Sequence, residues 1–278
     1  MNMKTAFFQS FEDSSDREET PFRLFMVQAE LKKNNLSGYL VPRSDVHQGE
    51  YVAACDERLS WLTGFTGSAG ICVVGKGRAG IFVDGRYSIQ ARKQTLSPFE
   101  VIQWDKKNFF HWIEKNIMKG KIGFDPWLHS HKEIFSLGEE FANSGISFVP
   151  SDNLIEKVWM NRPAKTSNKV MRYPVELAGL SAREKCQKIA EKIKFKKANS
   201  AVITLPDSIA WLLNLRGNDV IHNPILHAFL IIDSEGCTKI FSRNESLLHC
   251  ISDLKDFVEV YPAENFETTL SELTGSVI

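Results

Sequence analysis

The residues of this chain best suited to chemistry are two pairs of potential metal ligands, each pair separated by one residue. Asp45 and His47 form the first pair, and His129 and His131 form the second. Side chains two positions apart lie on the same side of an extended segment, so each pair could contribute to one metal site. Such a site needs three or four converging ligands, and no third residue stands at a fixed spacing from either pair. A polar turn or a helix cap is therefore the favoured interpretation of both pairs.

The glycine-rich stretch 64–70 resembles a phosphate-binding loop in composition. It lacks the Gly-Lys-Ser/Thr ending of a P-loop, and it leads into a strand instead of a helix. We interpret its glycines as a tight turn with close backbone packing. A run of lysines further along could attract an anion, but on an amphipathic helix such residues usually form the solvated face. The run consists of Lys185, Lys188, Lys192, Lys194, Lys196 and Lys197.

The elements that must position these residues occur twice in the same order. The first helix is predicted to begin at Thr20-Pro21, with Thr20 as N-cap and the proline at the first helical position. A short buried strand, 36–42, follows it. The second copy opens with the capping box Ser181-Ala-Arg-Glu184 and continues into a strand at 200–206. The apolar faces of the two helices consist of Leu24, Val27 and Leu31, and of Cys186, Ile189, Ala190 and Ile193.

The two copies keep the same register around a tryptophan. The stretch 61–67 aligns with 211–217, so that Gly64 faces Asn214, and these are residue types that tolerate positive φ. In both copies two apolar strands and a predicted hairpin turn follow, with the turns at 75–78 and 233–236. Prolines 42 and 206 are 164 positions apart and the two tryptophans are 150 apart, so the first copy has 14 extra residues between strand and tryptophan.

The second copy has an extension of its own, the loop 216–224, which adds about eight residues and is rich in polar groups. Extra length and polarity on a rigid scaffold are typical of binding loops. We expect this loop to serve substrate approach or interdomain contact, and a plain surface loop is the alternative. Its candidate residues are Arg216, Asp219, His222 and Asn223.

The copies are predicted to be separate α/β domains, each with a mixed sheet, because hairpin strands and helix-connected strands occur together. The polar, proline-containing stretch 162–169 marks the boundary. We therefore expect a flexible lead-in over 1–19, a first domain over 20–162 and a second over 163–278. Val277-Ile278 resembles the start of a strand, so the second domain is expected to be truncated at its C-terminal end.

Composition excludes several classes of protein. Lysine plus arginine equals aspartate plus glutamate at 34 each, which removes the positive field typical of proteins that bind nucleic acid or anionic membranes. The five cysteines show no paired spacing, as expected in a reducing compartment. The chain has neither an apolar run long enough to span a bilayer nor a signal-peptide pattern. These features predict a cytoplasmic protein.

Four motifs of the first copy carry a resemblance to a known family. They are Val41-Pro-Arg-Ser-Asp-Val-His-Gln-Gly-Glu-Tyr-Val52, Glu57-Arg58, the glycine-containing stretch 61–70, and Val83-Asp-Gly-Arg-Tyr87. Together they strongly resemble the creatinase-type N-terminal domain of the aminopeptidase P family. The run Ile209–Asp219 with His222-Asn-Pro224 resembles the second N-terminal domain of its three-domain members. The resemblance implies two tandem domains of creatinase N-terminal type, each with a mixed β-sheet flanked by helices in a ribonuclease H-like fold.

The resemblance also implies a function for the parent protein. Family members remove the N-terminal residue from short peptides with proline at position two, using two divalent metal ions, manganese or zinc. Those ions are held by a C-terminal pita-bread domain, and no position of this chain matches its ligands. This chain alone is therefore expected to be inactive and to carry no cofactor. Its expected roles are to support a homodimer and to limit access to the active site, with Asp45 and His47 as further candidates beside the 216–224 loop.

Two alternatives remain open from the sequence. The chain could be a stand-alone, non-catalytic module that binds a peptide or protein partner. It could also belong to a related hydrolase of the creatinase or prolidase type, although those enzymes usually carry one N-terminal domain of this kind.

Overall fold

A computed structural model describes residues 15–165 and 167–278. Residues 1–14 of the predicted lead-in and Thr166 of the predicted boundary stretch lie outside these ranges. The chain divides into two compact units. Unit 1 contains the described residues up to Arg43 together with Glu57–Arg162, and unit 2 contains Ser44–Asp56 together with Pro163–Ile278. The chain therefore passes from one unit to the other three times.

Unit 1 is built on a sheet of six strands. Its elements are α1 (Thr20–Lys33), β1 (Gly38–Pro42), α2 (Arg58–Thr63), β2 (Ile71–Gly75), β3 (Ala79–Val83), α3 (Ser88–Gln94), β4 (Phe99–Gln103), α4 (Lys106–Ile117), β5 (Gly120–Phe124), α5 (His131–Glu140), β6 (Ile146–Pro150) and α6 (Leu154–Val158). The strand order is β4-β3-β2-β1-β5-β6. β2 pairs antiparallel with β1 and β3, and the other three pairings are parallel. The predicted mixed sheet is confirmed.

Helices cover both faces of this sheet. Successive strand residues point to opposite faces, and in β1 Tyr39 and Val41 pack on one side while Leu40 packs on the other. The predicted apolar face of α1 covers the first side, and α4 covers the second through Phe109 and Trp112. Each large apolar side chain buried in this way contributes about 1.5–3 kcal/mol to stability. Burial on both faces explains why β1 is continuously apolar.

The start of α1 differs from the prediction. Thr20 is the first helical residue and not the N-cap, and its hydroxyl donates to the carbonyl oxygen of Arg17 at 2.7 Å. Glu19 occupies the cap position without a side-chain hydrogen bond. Pro21 fits either start, because the first turn needs no amide from it. The predicted stop is confirmed, since Asn34 caps the helix and Asn35 has a φ of 53°.

Unit 2 repeats this plan with fewer strands. Its elements are β7 (Met171–Arg172), α7 (Val175–Ala178), α8 (Ala182–Phe195), β8 (Ser200–Ile203), α9 (Pro206–Leu212), β9 (Leu215–Arg216), β10 (Ala228–Asp233), β11 (Thr238–Ser242), α10 (Leu247–Cys250), β12 (Val258–Pro262) and α11 (Phe266–Ser271). The main sheet has the order β12-β11-β10-β8, and β7 pairs with β9 separately. Val277 forms a parallel bridge to Ser200 on the free side of β8. None of the described helices has the length and apolarity to cross a membrane.

The pairing pattern supports the duplication. β10 pairs antiparallel with β8 and β11, as β2 does with β1 and β3. β11 pairs parallel with β12, as β3 does with β4. Val277 takes the place beside β8 that β5 takes beside β1. At the matched turn, Gly64 has a φ of 79° and Asn214 a φ of 50°, as the alignment of these two positions predicted.

The start of α8 is as predicted, with Ser181 and Glu184 forming a capping box. The expectation that all six lysines of the run are solvated is wrong for Lys185, which is only 2% exposed. Its Nζ donates to the carbonyl oxygen of Trp211 at 2.8 Å and to Oδ1 of Asn214 at 2.6 Å. Burial lowers the pKa of Lys185, and the nearby Arg216 lowers it further. These two acceptors make the buried position tolerable for an ammonium group.

Candidate functional site

The segment 44–56 lies in the region where the first copy is longer than the second, and it belongs to unit 2. A tight polar turn shapes its beginning. Oδ1 of Asp45 accepts hydrogen bonds from the amides of His47 at 2.9 Å and Gly49 at 3.0 Å, and Gln48 between them has a φ of 57°. Aspartate favours such a turn because its carboxylate reaches the amides that follow it. The predicted polar-turn role of Asp45 is thus what the geometry shows.

His47 is buried within unit 2. Its Nδ1 lies 3.0 Å from the carbonyl oxygen of Thr204, and because a carbonyl only accepts, Nδ1 carries the proton. The imidazole also contacts two rings, stacking on His227 with centroids 4.9 Å apart and tilting against Phe229 at 4.5 Å. Burial lowers the pKa of His47 and the neighbouring His227 adds to this, while Asp45, the Thr204 carbonyl and Asp56 act in the opposite direction.

His227 stands directly before β10 and completes the cluster. Its Nε2 is 3.9 Å from Oδ2 of Asp45, which is too long for a hydrogen bond. Among the described residues this buried nitrogen has no hydrogen-bond partner. The amide of His227 donates to Oδ2 of Asp219 at 2.8 Å, and Oδ1 of Asp219 accepts from the amide of Asn168 at 3.0 Å. Buried Asp219 therefore connects the backbone of His227, just before β10, to the backbone of Asn168.

Arg216 is held inside unit 2 by its own neighbours. Its guanidinium donates to the carbonyl oxygens of Ala210 at 3.1 Å and Leu215 at 2.7 Å, and it lies 4.2 Å from the ring centroid of Tyr173. These contacts fix the side chain against α9 and against Tyr173, which directly follows β7. Arg216 is half-buried, so part of its surface remains open to solvent.

His222 and Asn223 lie at the exposed end of the 216–224 loop. Val220 and Asn223 form an isolated antiparallel bridge, with the amide of Asn223 donating to the carbonyl oxygen of Val220 at 3.2 Å. The turn between them leaves Ile221 73% exposed and presents His222 to solvent with a φ of 61°. The exposed side chain of His222 therefore does not pack in the interior of unit 2.

The six sequence-derived candidates thus form two groups. Asp45 and His47 share one buried cluster, to which Asp219 is linked through the amide of His227. No hydrogen bond, ion pair or ring contact within the described ranges joins Arg216, His222 or Asn223 to Asp45 or His47. Sequence reasoning missed His227, whose one signal is a polar residue at the entrance of an otherwise apolar strand.

The pairs of potential metal ligands do not fit a two-metal centre. In the part of the chain that the structure describes, no group of three or more His, Cys, Asp or Glu side chains could hold a metal ion. His129 is buried with Nδ1 3.1 Å from Oε1 of Glu133, whereas His131 is exposed at the start of α5 and stacks on Phe135. His129 and His131 thus have different partners, and Asp45 and His47 share a cluster without a ligand set for a metal ion, so we derive no metal-dependent step from these residues.

The glycine-rich stretch 64–70 has the geometry of a packed turn. Gly64 ends α2 in the left-handed conformation, and a Cβ at Gly67 would lie 2.1 Å from an atom of the Phe65 ring. Phe65 is itself buried under Tyr87 in an edge-on contact. Close packing accounts for these glycines, in line with the interpretation as a tight turn.

Two family models, both described as the creatinase/prolidase N-terminal domain, match this chain in tandem, one over residues 23–160 and the other over residues 161–277. The chain belongs to the creatinase/prolidase N-terminal domain family.

Among curated relatives of this creatinase/prolidase chain, a probable Xaa-Pro aminopeptidase P from Coccidioides posadasii is 35% identical over 263 residues, covering 92% of this chain and 40% of the relative. A protein of the same description from Ajellomyces dermatitidis is 39% identical over 220 residues, covering 77% of this chain and 36% of the relative. The chain thus spans well under half the length of these relatives.

A solved structure matches both units of this creatinase/prolidase chain together. It is the X-prolyl aminopeptidase of Caenorhabditis elegans, described as a cytosolic enzyme with a di-nuclear active site. The match has a TM-score of 0.84 and 27% identity, and it covers 92% of this chain and 44% of the other. The predicted fold of two tandem creatinase N-terminal-type domains is confirmed.

Proposed function

We propose that this chain is the non-catalytic N-terminal part of an Xaa-Pro aminopeptidase, a cytoplasmic hydrolase that removes the residue before proline from short peptides. The observation that carries this proposal is the match of both units at once to the C. elegans X-prolyl aminopeptidase. A family relationship through a single domain would fit creatinases and prolidases equally well. The tandem pair favours the aminopeptidase.

The proposal assigns the chemistry to a further, C-terminal pita-bread domain. Two divalent ions, manganese or zinc, would be held there and would activate the attacking water. The described residues of this chain supply no ligand group for such a pair. Their proposed role is to support a homodimer and to restrict the opening of the active site to short peptides.

Two surfaces of unit 2 are proposed for that restriction. One is the exposed end of the 216–224 loop, with His222 exposed, Asn223 half-buried beside it, and Arg216 and Asp219 at its base. The other is the turn of the 44–56 segment, where Asp45 and His47 are buried and Tyr51 is 57% exposed. Asp45 and His47 are proposed to act by shaping this turn, since their polar atoms are directed into unit 2.

A chimera tests the proposal. This chain replaces the matched part of the C. elegans enzyme, and release of the first residue from a dipeptide and a longer Xaa-Pro peptide is measured with Mn²⁺ and with Zn²⁺. We expect the chimera to be active and dimeric, and this chain alone to be inactive under the same conditions. The remaining part of the C. elegans enzyme, expressed without any N-terminal domains, serves as control.

Two results would contradict the proposal. A folded, metal-loaded chimera without activity would show that these units cannot serve such an enzyme. Tight binding of an Xaa-Pro peptide by this chain alone, measured by calorimetry, would favour the stand-alone peptide-binding module instead.

A further inference from the structure

We propose that Asp45, His47 and His227 form a proton-sensitive latch that holds the 44–56 segment on unit 2. The latch tolerates one positive charge on its two imidazoles but not two. This inference is independent of the proposed enzymatic role, because it rests on contacts within unit 2.

The charge limit follows from the geometry of the three side chains. The rings of His47 and His227 are stacked with centroids 4.9 Å apart and an interplanar angle of 26°. Protonation of both would place two positive charges face to face, where like charges repel because the cluster is largely shielded from solvent. Asp45 is 1% exposed and can offset one of these charges, with Oδ2 3.9 Å from Nε2 of His227. Its other oxygen is already engaged by the amides of His47 and Gly49.

The surroundings of His47 favour its neutral form. The charged or titratable groups that act on it are His227 at the entrance of β10, and Asp45 and Asp56 on its own segment. Phe229 covers part of its ring at 4.5 Å and contributes no hydrogen bond. The contact with the carbonyl oxygen of Thr204 needs only the Nδ1 proton that the neutral tautomer already carries. The one hydrogen bond that the structure shows for this ring is thus already made by the neutral form.

The direction of the pH effect follows from the lowered pKa of His47. A base whose pKa is lower in the docked state binds fewer protons there than in the released state. The docked segment is therefore most stable above the ordinary histidine pKa of about 6.5 and loses stability as the pH falls below it. For each pH unit by which docking lowers the pKa of His47, the equilibrium constant for docking falls by up to about tenfold at low pH.

Release is expected to be local. Val46 packs against the cluster of Phe229, Phe241 and Phe266, and it is the apolar anchor nearest to the latch. The amides of His47 and Gly49 depend on Asp45, so they lose their acceptor when the turn opens. Hydrogen exchange at these amides therefore reports the state of the latch.

The experiment measures hydrogen exchange of this chain by mass spectrometry from about pH 7.5 to about pH 5.5, a range centred on histidine titration. Rates in peptides covering 44–56 are divided by the intrinsic rates at each pH. In the unmodified chain we expect protection to fall by at least about threefold across this range. The variant His227→Phe keeps a ring against His47 and removes the second imidazole, so the fall should become clearly smaller, with the part caused by burial of His47 remaining. His249→Gln, at an exposed histidine of α10, is the matched control and should leave the fall unchanged.

Three results would overturn the latch. The first is protection that stays constant or rises as the pH falls in the unmodified chain. The second is a fall of the same size in His227→Phe, and the third is its loss in His249→Gln. If His227→Phe does not fold, His227→Gln, which is polar and does not titrate, is subjected to the same measurement and the same criteria.

Discussion

The ammonium group of Lys185 lies 2.6 Å from Oδ1 of Asn214, in the interior of unit 2. Asn214 in turn donates from Nδ2 to the carbonyl oxygen of Leu180 at 2.8 Å. One asparagine with a positive φ thus links the end of α9 to the start of α8. The equivalent position in unit 1 is Gly64, which has the same backbone conformation but no side chain to form such a link.

Replacing Lys185 by methionine should destabilise the chain by about 1–3 kcal/mol, because the volume is retained while two buried acceptors lose their donor. Lys192→Met on the exposed side of α8 is the control and should change stability by less than about 0.5 kcal/mol. Urea denaturation followed by circular dichroism measures both. Equal stabilities of the two variants would show that the two buried hydrogen bonds of Lys185 make no net contribution to the free energy of unfolding.

Gly64→Ala should destabilise unit 1 by about 1–3 kcal/mol, the usual cost of strained backbone. The residue has a φ of 79°, and a Cβ there would lie 2.6 Å from the carbonyl oxygen of Gln94. Gly138→Ala in α5 is the matched substitution, since a Cβ at that position meets nothing within 4 Å. It should stabilise the chain by about 0.5–1 kcal/mol through helix propensity. Thermal melts that shift in the same direction for both variants would refute this contrast.

Glu156 joins two arginines of unit 1, with 2.6 Å from Oε1 to Arg58 and 2.6 Å from Oε2 to Arg162. Burial acts to raise the pKa of its carboxyl group, but the hydrogen bonds and charges of Arg58 and Arg162 outweigh it, and the pKa falls below its ordinary 4.5. A lowered acid pKa stabilises the fold above the ordinary value, and this stabilisation is lost as the pH falls through the folded value.

Glu156→Gln should therefore reduce stability by about 1–3 kcal/mol at neutral pH, a range that allows for its partial exposure. The difference from the unmodified chain should shrink as the pH drops below about 4.5, where the wild-type carboxylate also becomes protonated. Urea midpoints at a series of pH values test this expectation, with the exposed Glu114→Gln as control. A difference that does not depend on pH would exclude the ion pair as its source.

In the chimera with the C. elegans enzyme, Arg216→Ala should lower kcat/KM for Xaa-Pro peptides by roughly tenfold to a hundredfold, the effect of losing one charge-assisted hydrogen bond, and His222→Ala should lower it as well. The two variants should differ in stability. Arg216→Ala removes bonds to Ala210 and Leu215 and should lower the melting temperature, whereas exposed His222→Ala should not. Unchanged kinetics in both variants would identify the loop as ordinary surface.

Much of the fold is predictable from local patterns in the sequence. Three of these patterns specify the backbone over a few residues each, and the structure contains all of them. They are the capping box at Ser181, the turn residues Gly64 and Asn214, and the order of the apolar strands. The errors arise where distant parts of the chain decide the outcome. Lys185 looks like any surface lysine of an amphipathic helix until Asn214 and the carbonyl group of Trp211 are placed beside it.

In the candidate site, too, the features that the sequence did not predict depend on contacts between distant parts of the chain. The sequence identified Asp45 and His47 by their spacing, and it indicated about 14 extra residues between the first strand and Trp61. It could not reveal that this segment packs with residues from Thr204 to Phe229, because no periodic pattern connects such distant positions. His227 was missed for this reason, since its role depends on a partner 180 positions earlier, at residue 47.

The assignment of Ser44–Asp56 to unit 2 also imposes an order on events during synthesis. The ribosome produces this segment well before Thr204, His227 and Phe229, which His47 contacts. At roughly 5 to 20 residues per second, the wait until Thr204 emerges is on the order of ten seconds. All six strands of the unit 1 sheet are made before residue 163, so that sheet can close while the segment still has nothing to pack on. Unit 2 therefore matures after unit 1, and until then the segment is open to a chaperone or a protease.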